Sequence, residues 1–212
     1  MTVQAVVFDI GNVLIRWEPE TYYDALMGPE RRRAMFEAVD LHAMNDRIDA
    51  GEDFRDTVYA CAAANPDFAA EIRHWHDRWL DFIMGEIDGS VAILRALRAS
   101  GMPVHALSNF GLAPCVLAEP RHPVLAEFDV RLLSGAVGVT KPAPDIYAAL
   151  ERETGLSGPS LFFTDDKPEN IDAAAARGWQ THLFSGPEGL AEAMRSAGVP
   201  DAALPLRGPW RP

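Results

Sequence analysis

Short apolar runs recur along the chain and predict buried β-strands. The runs are residues 3–8, 103–108, 128–133, 160–165 and 179–184. Continuous apolarity of this kind is typical of strands that are buried on both faces of a parallel sheet. Between the runs lie segments of helical periodicity that each stop at a glycine, namely residues 90–100, 144–154 and 170–177. The alternation predicts an α/β fold, a Rossmann-like parallel sheet flanked by helices.

The segment 16–88 interrupts this alternation, because it contains no strand-like run. Its periodicity predicts four or five helices, four of which can be placed, at residues 20–27, 29–39, 52–64 and 66–84. Within the last of these, Trp75, Trp79 and Phe82 recur at helical spacing, which predicts an apolar core rather than a substrate surface. We therefore expect a helical cap domain, 16–88, inserted into an α/β core domain formed by 1–15 and 89–212. The proline-rich end, 204–212, is expected to lack regular structure.

The composition is that of a folded globular protein, since 48% of the 212 residues are hydrophobic and 24% are charged. No apolar run approaches the ~20 residues that span a bilayer. The first residues lack the basic region and cleavage site of a secretory signal, and the two cysteines form no disulfide framework. We therefore expect a cytoplasmic protein.

The net charge of -12 disfavours nucleic acids and anionic membranes as partners, because both select basic protein surfaces. Most of this charge belongs to the segment 16–88, in which acidic residues outnumber Lys and Arg by 17 to 8. The net charge therefore says little about chemistry in the α/β core.

Polar side chains cluster where the predicted strands end and the following helices begin. They are Asp9, Ser108, Asn109, Lys141, Asp165, Asp166 and Asn170. Parallel α/β sheets bind ligands at the carboxyl ends of their strands. Burying three acids with a lysine would be costly without a cation and an anionic ligand. Such a set suits phosphoryl transfer: a carboxylate attacks phosphorus, Mg²⁺ takes oxygen ligands, and a hydroxyl and an ammonium hold the phosphoryl oxygens.

Lysine is rare in this chain. Of its 19 Lys and Arg residues, only Lys141 and Lys167 are lysines. Lysine is a slim point charge on a flexible stem, whereas arginine is a planar fork. The rarity therefore favours a functional role for Lys141. For Lys167, which borders the acidic pair, a site role and a surface ion pair stay equally open.

Taken together, these residues resemble the four motifs of the haloacid dehalogenase (HAD) superfamily, in the family's order. The motifs are Phe8-Asp9-Ile10-Gly11-Asn12-Val13-Leu14, then Leu107-Ser108-Asn109, then Lys141-Pro142 with Pro144 and Tyr147, and finally Phe163-Thr164-Asp165-Asp166 with Asn170. The resemblance covers the whole chain, since the segment 16–88 lies where the family places its helical C1 cap. It implies a HAD-like phosphatase that acts on a small phosphorylated metabolite with Mg²⁺ as cofactor.

Position by position, the resemblance implies a role for each motif residue. Asp9 is expected to be the nucleophile and a Mg²⁺ ligand, together with Asp166 and the backbone carbonyl of Gly11. Ser108 is expected to bind phosphate, and Lys141 to bridge the phosphate and Asp9.

The remaining candidates are expected to act around these groups. Asn109 is expected to assist phosphate binding, while Asp165 or Asn170 is expected to hold metal-bound waters. For Asp165, a role in orienting its neighbour or capping the helix that starts near Pro168 stays equally open. In the cap, Trp17 and Arg47 are candidates for substrate contact. The sequence leaves the oligomeric state open between monomer and dimer.

The chain departs from the family at Gly11, where family phosphatases usually carry a second aspartate that serves as general acid and base. General acid–base catalysis contributes roughly 10²–10⁴-fold in rate. Three interpretations follow: a leaving group that departs unassisted, such as the anomeric hydroxyl of a sugar 1-phosphate; a substitute proton donor; or a protein that mainly binds. A subgroup with a similar Asp-x-Gly-Asn-Val pattern is associated with sugar phosphates, which favours the first.

Two alternative functions remain. One is a phosphate-ligand binding or regulatory protein with little turnover. The other is a metal-independent 2-haloacid dehalogenase, since Lys141 and Tyr147 keep the spacing found in those enzymes. The adjacent carboxylates of Asp165 and Asp166 favour a cation, and therefore phosphate, over the dehalogenase.

Overall fold

The structure is a computed structural model that describes residues 2–204; residues 205–212, which belong to the predicted core domain and its proline-rich end, lie outside the described part. The strands are β1 (Ala5–Phe8), β2 (Ile15–Trp17), β3 (Ile83–Glu86), β4 (Val104–Ser108), β5 (Val130–Leu133), β6 (Leu161–Asp165) and β7 (Gln180–Leu183). The α-helices are α1 (Pro19–Met27), α2 (Pro29–Ala38), α3 (Leu41–Asp49), α4 (Phe54–Ala64), α5 (Ala69–Asp77), α6 (Asp88–Ala99), α7 (Leu112–Ala118), α8 (Ser134–Val137), α9 (Pro144–Thr154), α10 (Pro168–Ala176) and α11 (Pro187–Ser196).

Five parallel strands form the main sheet, in the order β5-β4-β1-β6-β7. The central strand β1 pairs Val6 with Val104 of β4 on one side and with Phe162 of β6 on the other. All five strands coincide with the apolar runs of the sequence, and the predicted α/β fold is confirmed.

Both faces of the sheet are covered, which explains the continuous apolarity of β1. Val6 and Phe8 belong to one apolar cluster, which includes Leu94 of α6 and residues of α11. Val7 points to the opposite cluster, which includes Ile146 of α9 and residues of α10. Successive strand residues alternate between the faces, so both sets must be apolar.

The strand order places a crevice beside the end of β1. From β1 the chain passes to β4 and β5 on one side of the sheet, and later to β6 and β7 on the other. The order of strands therefore reverses at β1, and α/β sheets bind ligands outside the carboxyl ends of the strands at such a point. Within residues 2–204, no helix is long and apolar enough to cross a membrane.

The segment between β1 and β4 differs from the prediction in containing strands. Strands β2 and β3, which flank the helices α1 to α5, pair as a two-stranded antiparallel sheet that we call the stem. In the stem, Ile15 of β2 lies opposite Glu86 of β3. The prediction of a strand-free segment is therefore wrong. Strands of three and four residues, one of them containing Gly85, are too short to leave a clear periodic pattern.

One helix prediction in this segment also needs correction, and one helix was not placed. The helix predicted at residues 66–84 ends at Asp77, because Arg78 leaves the helical conformation, and a 3₁₀ turn and β3 follow. Helix α3, which contains Arg47, lies between two of the predicted helices and was not placed by the sequence. The cap of that helix was overlooked: the Asp40 carboxylate accepts a hydrogen bond from the Ala43 N–H at 2.9 Å.

The aromatic residues predicted to form an apolar core do so. Trp75, Trp79 and Phe82 are buried, although they lie on two separate elements. The Phe82 ring lies 5.2 Å from Trp75 and 5.4 Å from Tyr23 of α1, centroid to centroid. These contacts pack α1 and α5 onto the stem.

Gly135 permits a close approach between α8 and the loop that follows β4. A Cβ at this position would lie 2.9 Å from the Leu112 nitrogen and 3.0 Å from the Gly111 Cα, both backbone atoms. We expect Gly135→Ala to lower the free energy of unfolding by about 1–3 kcal/mol, since overpacked sites must shift their backbone. Urea denaturation measures the change.

Gly189→Ala in α11 is the matched control. The nearest atom to its added methyl would be His182 Nε2 at 3.7 Å, an ordinary contact. Helical Gly→Ala substitutions gain about 0.5–1 kcal/mol, so this variant should be at least as stable as the parent. Equal stabilities of the two variants would contradict the proposed crowding at Gly135.

Candidate active site

The sheet brings the predicted polar residues together. Asp9 follows β1, Ser108 ends β4, Asp165 ends β6, and Asp166 is the next residue. Asp9, Ser108 and Asp166 line one cavity of about 320 Å³, whose other wall is formed by the helical segment. These side chains lie close together because β4, β1 and β6 are parallel neighbours, so all three strands end at the same edge of the sheet.

The Lys141 ammonium occupies the centre of the site and is buried. Nζ lies 2.8 Å from Asp9 Oδ1 and 2.6 Å from Asp165 Oδ2, and it donates a hydrogen bond to the Leu107 carbonyl at 2.8 Å. Burial lowers the pKa of Lys141, but the two carboxylates outweigh burial and raise it. The lysine therefore stays charged.

Asn109 fixes the backbone of Lys141. The Lys141 N–H donates to Asn109 Oδ1 at 2.7 Å, and Asn109 Nδ2 donates back to the Lys141 carbonyl at 2.9 Å. This pair of bonds ties the end of β4 to the loop that carries the lysine. The Asn109 amide is thus engaged with backbone, although the residue also lines the cavity.

Asp165 is fully buried and held from several sides. Asn170 Nδ2 lies 3.0 Å from both of its carboxylate oxygens, and the Lys167 N–H donates to Oδ1 at 2.8 Å. Asn170 itself accepts a hydrogen bond from the Tyr147 hydroxyl on its carbonyl at 3.0 Å. Asp165 and Asn170 therefore form a rigid support beneath Lys141.

Three carboxylates converge on the space beside Lys141. Asp9, Asp165 and Asp166 each offer an oxygen, and these oxygens lie within 4.8 Å of one another. Burial raises the pKa of Asp9 to about 6, against the opposing effect of Lys141. Burial and the neighbouring Asp165 also raise the pKa of Asp166. One lysine does not balance three acids, so the cluster favours an additional cation.

The donor set suits a hard divalent cation such as Mg²⁺, which prefers carboxylate and carbonyl oxygens. Asp9 and Asp166 both line the cavity, so their carboxylates border the space in which such a cation would lie. Gly11, whose carbonyl is a further candidate, lines the same cavity.

Neither packing nor backbone conformation requires a glycine at position 11. No atom lies within 4 Å of the position that a Cβ would occupy there, and the backbone does not adopt a positive φ angle. Position 11 faces open cavity and supplies no proton donor. Any group that assists the leaving oxygen must therefore come from elsewhere.

The cap wall of the cavity carries residues that were not predicted to belong to the site, among them Trp79, which was assigned to the apolar core. They are Glu20, His42, Asn45, Asp46, Asp49 and Trp79. Four of them lie on α3, at spacings of three and four residues, and so share one face of the helix. Recognising α3 from its Asp40 cap would have revealed this polar face.

Of the two cap residues that were predicted to contact substrate, only Trp17 lines the cavity. Its ring lies 4.3 Å from that of Trp79, centroid to centroid. Arg47 lies outside the cavity lining, and its guanidinium pairs with Glu52, Nε to Oε1 at 2.9 Å. Lys167, which the sequence left undecided, is exposed and lines the cavity.

The sequence matches the family model of the haloacid dehalogenase-like hydrolases over residues 3–178, and the chain belongs to this family. The match spans both the α/β core and the helical segment. No curated protein matches the chain.

Solved structures share the fold at low sequence identity. A HAD-like family hydrolase from Porphyromonas gingivalis is 20% identical, with a TM-score of 0.70 over 92% of this chain and 98% of that one. A HAD family enzyme from Bacteroides thetaiotaomicron is 20% identical, with a TM-score of 0.68 over 88% and 95%. The Bacteroides enzyme has also been solved in complex with magnesium and inorganic phosphate.

A dehalogenase is among these structures as well. The L-2-haloacid dehalogenase from Xanthobacter autotrophicus is 17% identical, with a TM-score of 0.62 over 95% of this chain and 86% of that one. At such identities the likeness concerns the fold, so it does not distinguish phosphatase from dehalogenase.

The buried lysine can be tested through stability. Lys141→Met leaves Asp9 and Asp165 buried without their shared cation, and breaking a buried pair costs about 3–5 kcal/mol. Lys141→Arg should cost about 1–3 kcal/mol, because the planar fork overfills a site shaped for an ammonium. Urea denaturation of the metal-free protein measures both losses.

Lys167→Arg serves as the control, since this lysine is exposed. Its stability should change by less than about 0.5 kcal/mol. If Lys141→Arg proved equally harmless, the site would not be selective for lysine.

Proposed function

We propose that the protein is a Mg²⁺-dependent hydrolase that removes phosphate from a small phosphorylated metabolite through an aspartyl phosphate on Asp9. The observation that supports this most directly is the cluster of Asp9, Asp165 and Asp166, in which the buried Lys141 pairs with the first two. Three carboxylates with one ammonium suit a cation and an anionic phosphoryl group. A metal-independent dehalogenase has no need of that much negative charge.

Asp9 and Asp166 would hold the cation, with the backbone carbonyl of Gly11 as a further ligand. Asn170, which lines the cavity, would orient a metal-bound water. Asp165, whose oxygens are held by Lys141, Lys167 and Asn170, would fix the lysine instead. When bound, Mg²⁺ would withdraw charge from the phosphoryl oxygens and let an anionic nucleophile approach them. The magnesium and phosphate found with the Bacteroides enzyme agree with this assignment.

The chain's own residues would perform the covalent steps. An Asp9 oxygen attacks phosphorus, the bond between phosphorus and the leaving oxygen breaks, and the leaving oxygen takes up a proton. Ser108 and Lys141 hold the phosphoryl oxygens during transfer, and Asn109 assists by fixing the Lys141 backbone. Water then attacks phosphorus, the bond to Asp9 breaks, and inorganic phosphate and the free carboxylate result.

The cap wall favours a neutral, hydroxyl-rich leaving group such as a sugar. Of its titratable lining residues, Glu20, Asp46 and Asp49 are acids and His42 pairs with Glu20, Nε2 to Oε1 at 2.9 Å. Carboxylate and amide acceptors suit sugar hydroxyls, and Trp17 adds an aromatic surface. A 2-haloacid, by contrast, would bring its carboxylate against these acids.

The same charge supports the expectation about partners. The net charge of -12 suits a small-molecule substrate better than nucleic acid or an anionic membrane. The proposed location, the cytoplasm, rests on the sequence features given above and not on the charge.

Phosphate release tests the proposal directly. The purified protein should hydrolyse at least one of a panel of sugar phosphates in the presence of Mg²⁺, and EDTA should abolish the reaction. Asp9→Asn should lower the rate by at least ~10³-fold, because the nucleophile is lost while the fold is kept. Phosphate release is measured colorimetrically, and 2-chloropropionate with halide detection runs in parallel.

Two outcomes would reject the phosphatase. Halide release that survives EDTA indicates a dehalogenase. Absence of turnover on every substrate, with phosphate esters still bound in calorimetry, indicates the binding or regulatory protein that Gly11 suggests.

The acidic cap wall predicts discrimination against substrates with a second anionic group. Removing one acid in Glu20→Gln or Asp46→Asn should raise the ratio of kcat/KM for fructose 1,6-bisphosphate to that for fructose 6-phosphate by about fivefold, since one nearby charge contributes about 1 kcal/mol in water. The gain should shrink with added salt. Glu37→Gln, an exposed residue of α2 outside the cavity lining, should leave the ratio unchanged. An unchanged ratio in all three variants would show that the acids do not sense the substrate's charge.

A further inference from the structure

Hydrolysis of an alkyl phosphate needs a proton for the leaving oxygen, and Gly11 cannot supply it. The cavity nevertheless contains a buried carboxyl group on its cap side. Asp49, the last residue of α3, lines the same cavity as Asp9 and Gly11 and is only 6% exposed. Among the acids of the cap wall, Glu20 is half-buried and Asp46 is exposed. Asp49 is therefore the cap acid that is shielded from bulk water.

The Asp49 carboxyl group is held in one orientation. Oδ1 accepts a hydrogen bond from the Gly111 N–H at 2.9 Å, and Oδ2 accepts one from Asn45 Nδ2 at 2.8 Å. The Asn45 amide is fixed in turn, because its Oδ1 accepts from Trp75 Nε1 at 3.0 Å. A carboxyl oxygen that accepts one hydrogen bond can still carry a proton. Asp49 can thus present a proton to the cavity without leaving its supports.

Both protonation states of Asp49 are accessible near neutral pH. Burial raises the pKa of Asp49 to about 7; the Gly111 N–H and Lys167 oppose this, while Asp46 and Asp9 reinforce it. Below that pH the group is a proton donor, and above it a proton acceptor. A catalytic acid is most efficient when its pKa lies near the working pH.

We propose that Asp49 is the general acid and base of this hydrolase, replacing from the cap the carboxylate that is absent at position 11. The inference rests on the proposed function. As the phosphorus–oxygen bond of the substrate breaks, its electron pair stays on the leaving oxygen, which takes the Asp49 proton. The Asp49 carboxylate then accepts a proton from water as the water oxygen attacks the phosphorus of aspartyl phosphate. Asp9 departs as a carboxylate, and Asp49 is protonated again.

The position of Asp49 also couples this proton to the closed cap. Its backbone carbonyl accepts a hydrogen bond from the Ser134 hydroxyl at 2.6 Å, and its side chain receives the Gly111 N–H. Both partners belong to the α/β core. The acid is therefore in place only while the end of α3 is docked on the core. A substitution of Asp49 affects docking as well as proton transfer, so the experiment has to separate the two roles.

Leaving-group dependence distinguishes the two roles. 4-Nitrophenyl phosphate expels a phenolate that needs no proton, whereas ribose 5-phosphate, glycerol 3-phosphate and glucose 6-phosphate expel alkoxides that do. For whichever of the three the wild type hydrolyses best, Asp49→Asn should lower kcat/KM by about 10²–10⁴-fold. The loss on 4-nitrophenyl phosphate should stay below about tenfold. Asp46→Asn, with the same charge change on the same helix, should affect both substrate types alike.

A readout without turnover accompanies the kinetics. In metal-free protein labelled with ¹³C at aspartate carboxyl carbons, one resonance that titrates near neutral pH should disappear in Asp49→Asn.

Several results would overturn the inference. They are equal losses on both substrate types in Asp49→Asn, no loss on the alkyl phosphate, or a wild type that cleaves 4-nitrophenyl phosphate but none of the three alkyl phosphates. Failure of the proposed function has a different signature: a wild type that releases no phosphate from any of the four esters with Mg²⁺. In that case both the function and the role of Asp49 fall.

Discussion

The contact on which the site depends is the burial of the Lys141 ammonium between Asp9 and Asp165, at 2.8 and 2.6 Å. Ions are costly to remove from water, so the pair persists only with further support. Asn109 holds the lysine backbone and Asn170 holds Asp165. Because these residues come from β1, β4, β6 and two helix starts, the parallel sheet with its reversal at β1 is what makes the cluster attainable.

The positive charge of Lys141 does not balance the negative charges of the three acids, and this excess of negative charge is what favours a bound cation. Three carboxylate oxygens within 4.8 Å of one another leave negative charge that a cation would offset. In the proposed function, the core would supply the nucleophile, the metal ligands and the phosphate-binding groups. The cap contributes an acid-lined wall, and in Asp49 a shielded carboxyl group that lines the same cavity as Gly11.

Much of the fold could be predicted because its strands are buried on both faces. The run from Ala5 to Phe8 is apolar at every position, and this pattern requires no knowledge of the neighbouring strands. The stem strands were missed because β2 and β3 are very short. Helix α3 was missed although its signals are local: Leu41, Met44 and Ile48 are buried at helical spacing behind the Asp40 cap.

By itself the sequence determined the α/β class, the helical insertion after the first strand, and the motif residues from Asp9 to Asn170, since each lies beside a locally recognisable strand or helix. Only the tertiary structure decided which cap residues face them. Arg47 pairs with Glu52 of the cap, whereas Asp49 accepts hydrogen bonds from Gly111 and Ser134 of the core. The physical reason is that local patterns record which side of an element is buried. They do not record which distant surface buries it. The cap wall depends on such long-range packing, because helices of the cap face the end of the sheet only in the folded protein.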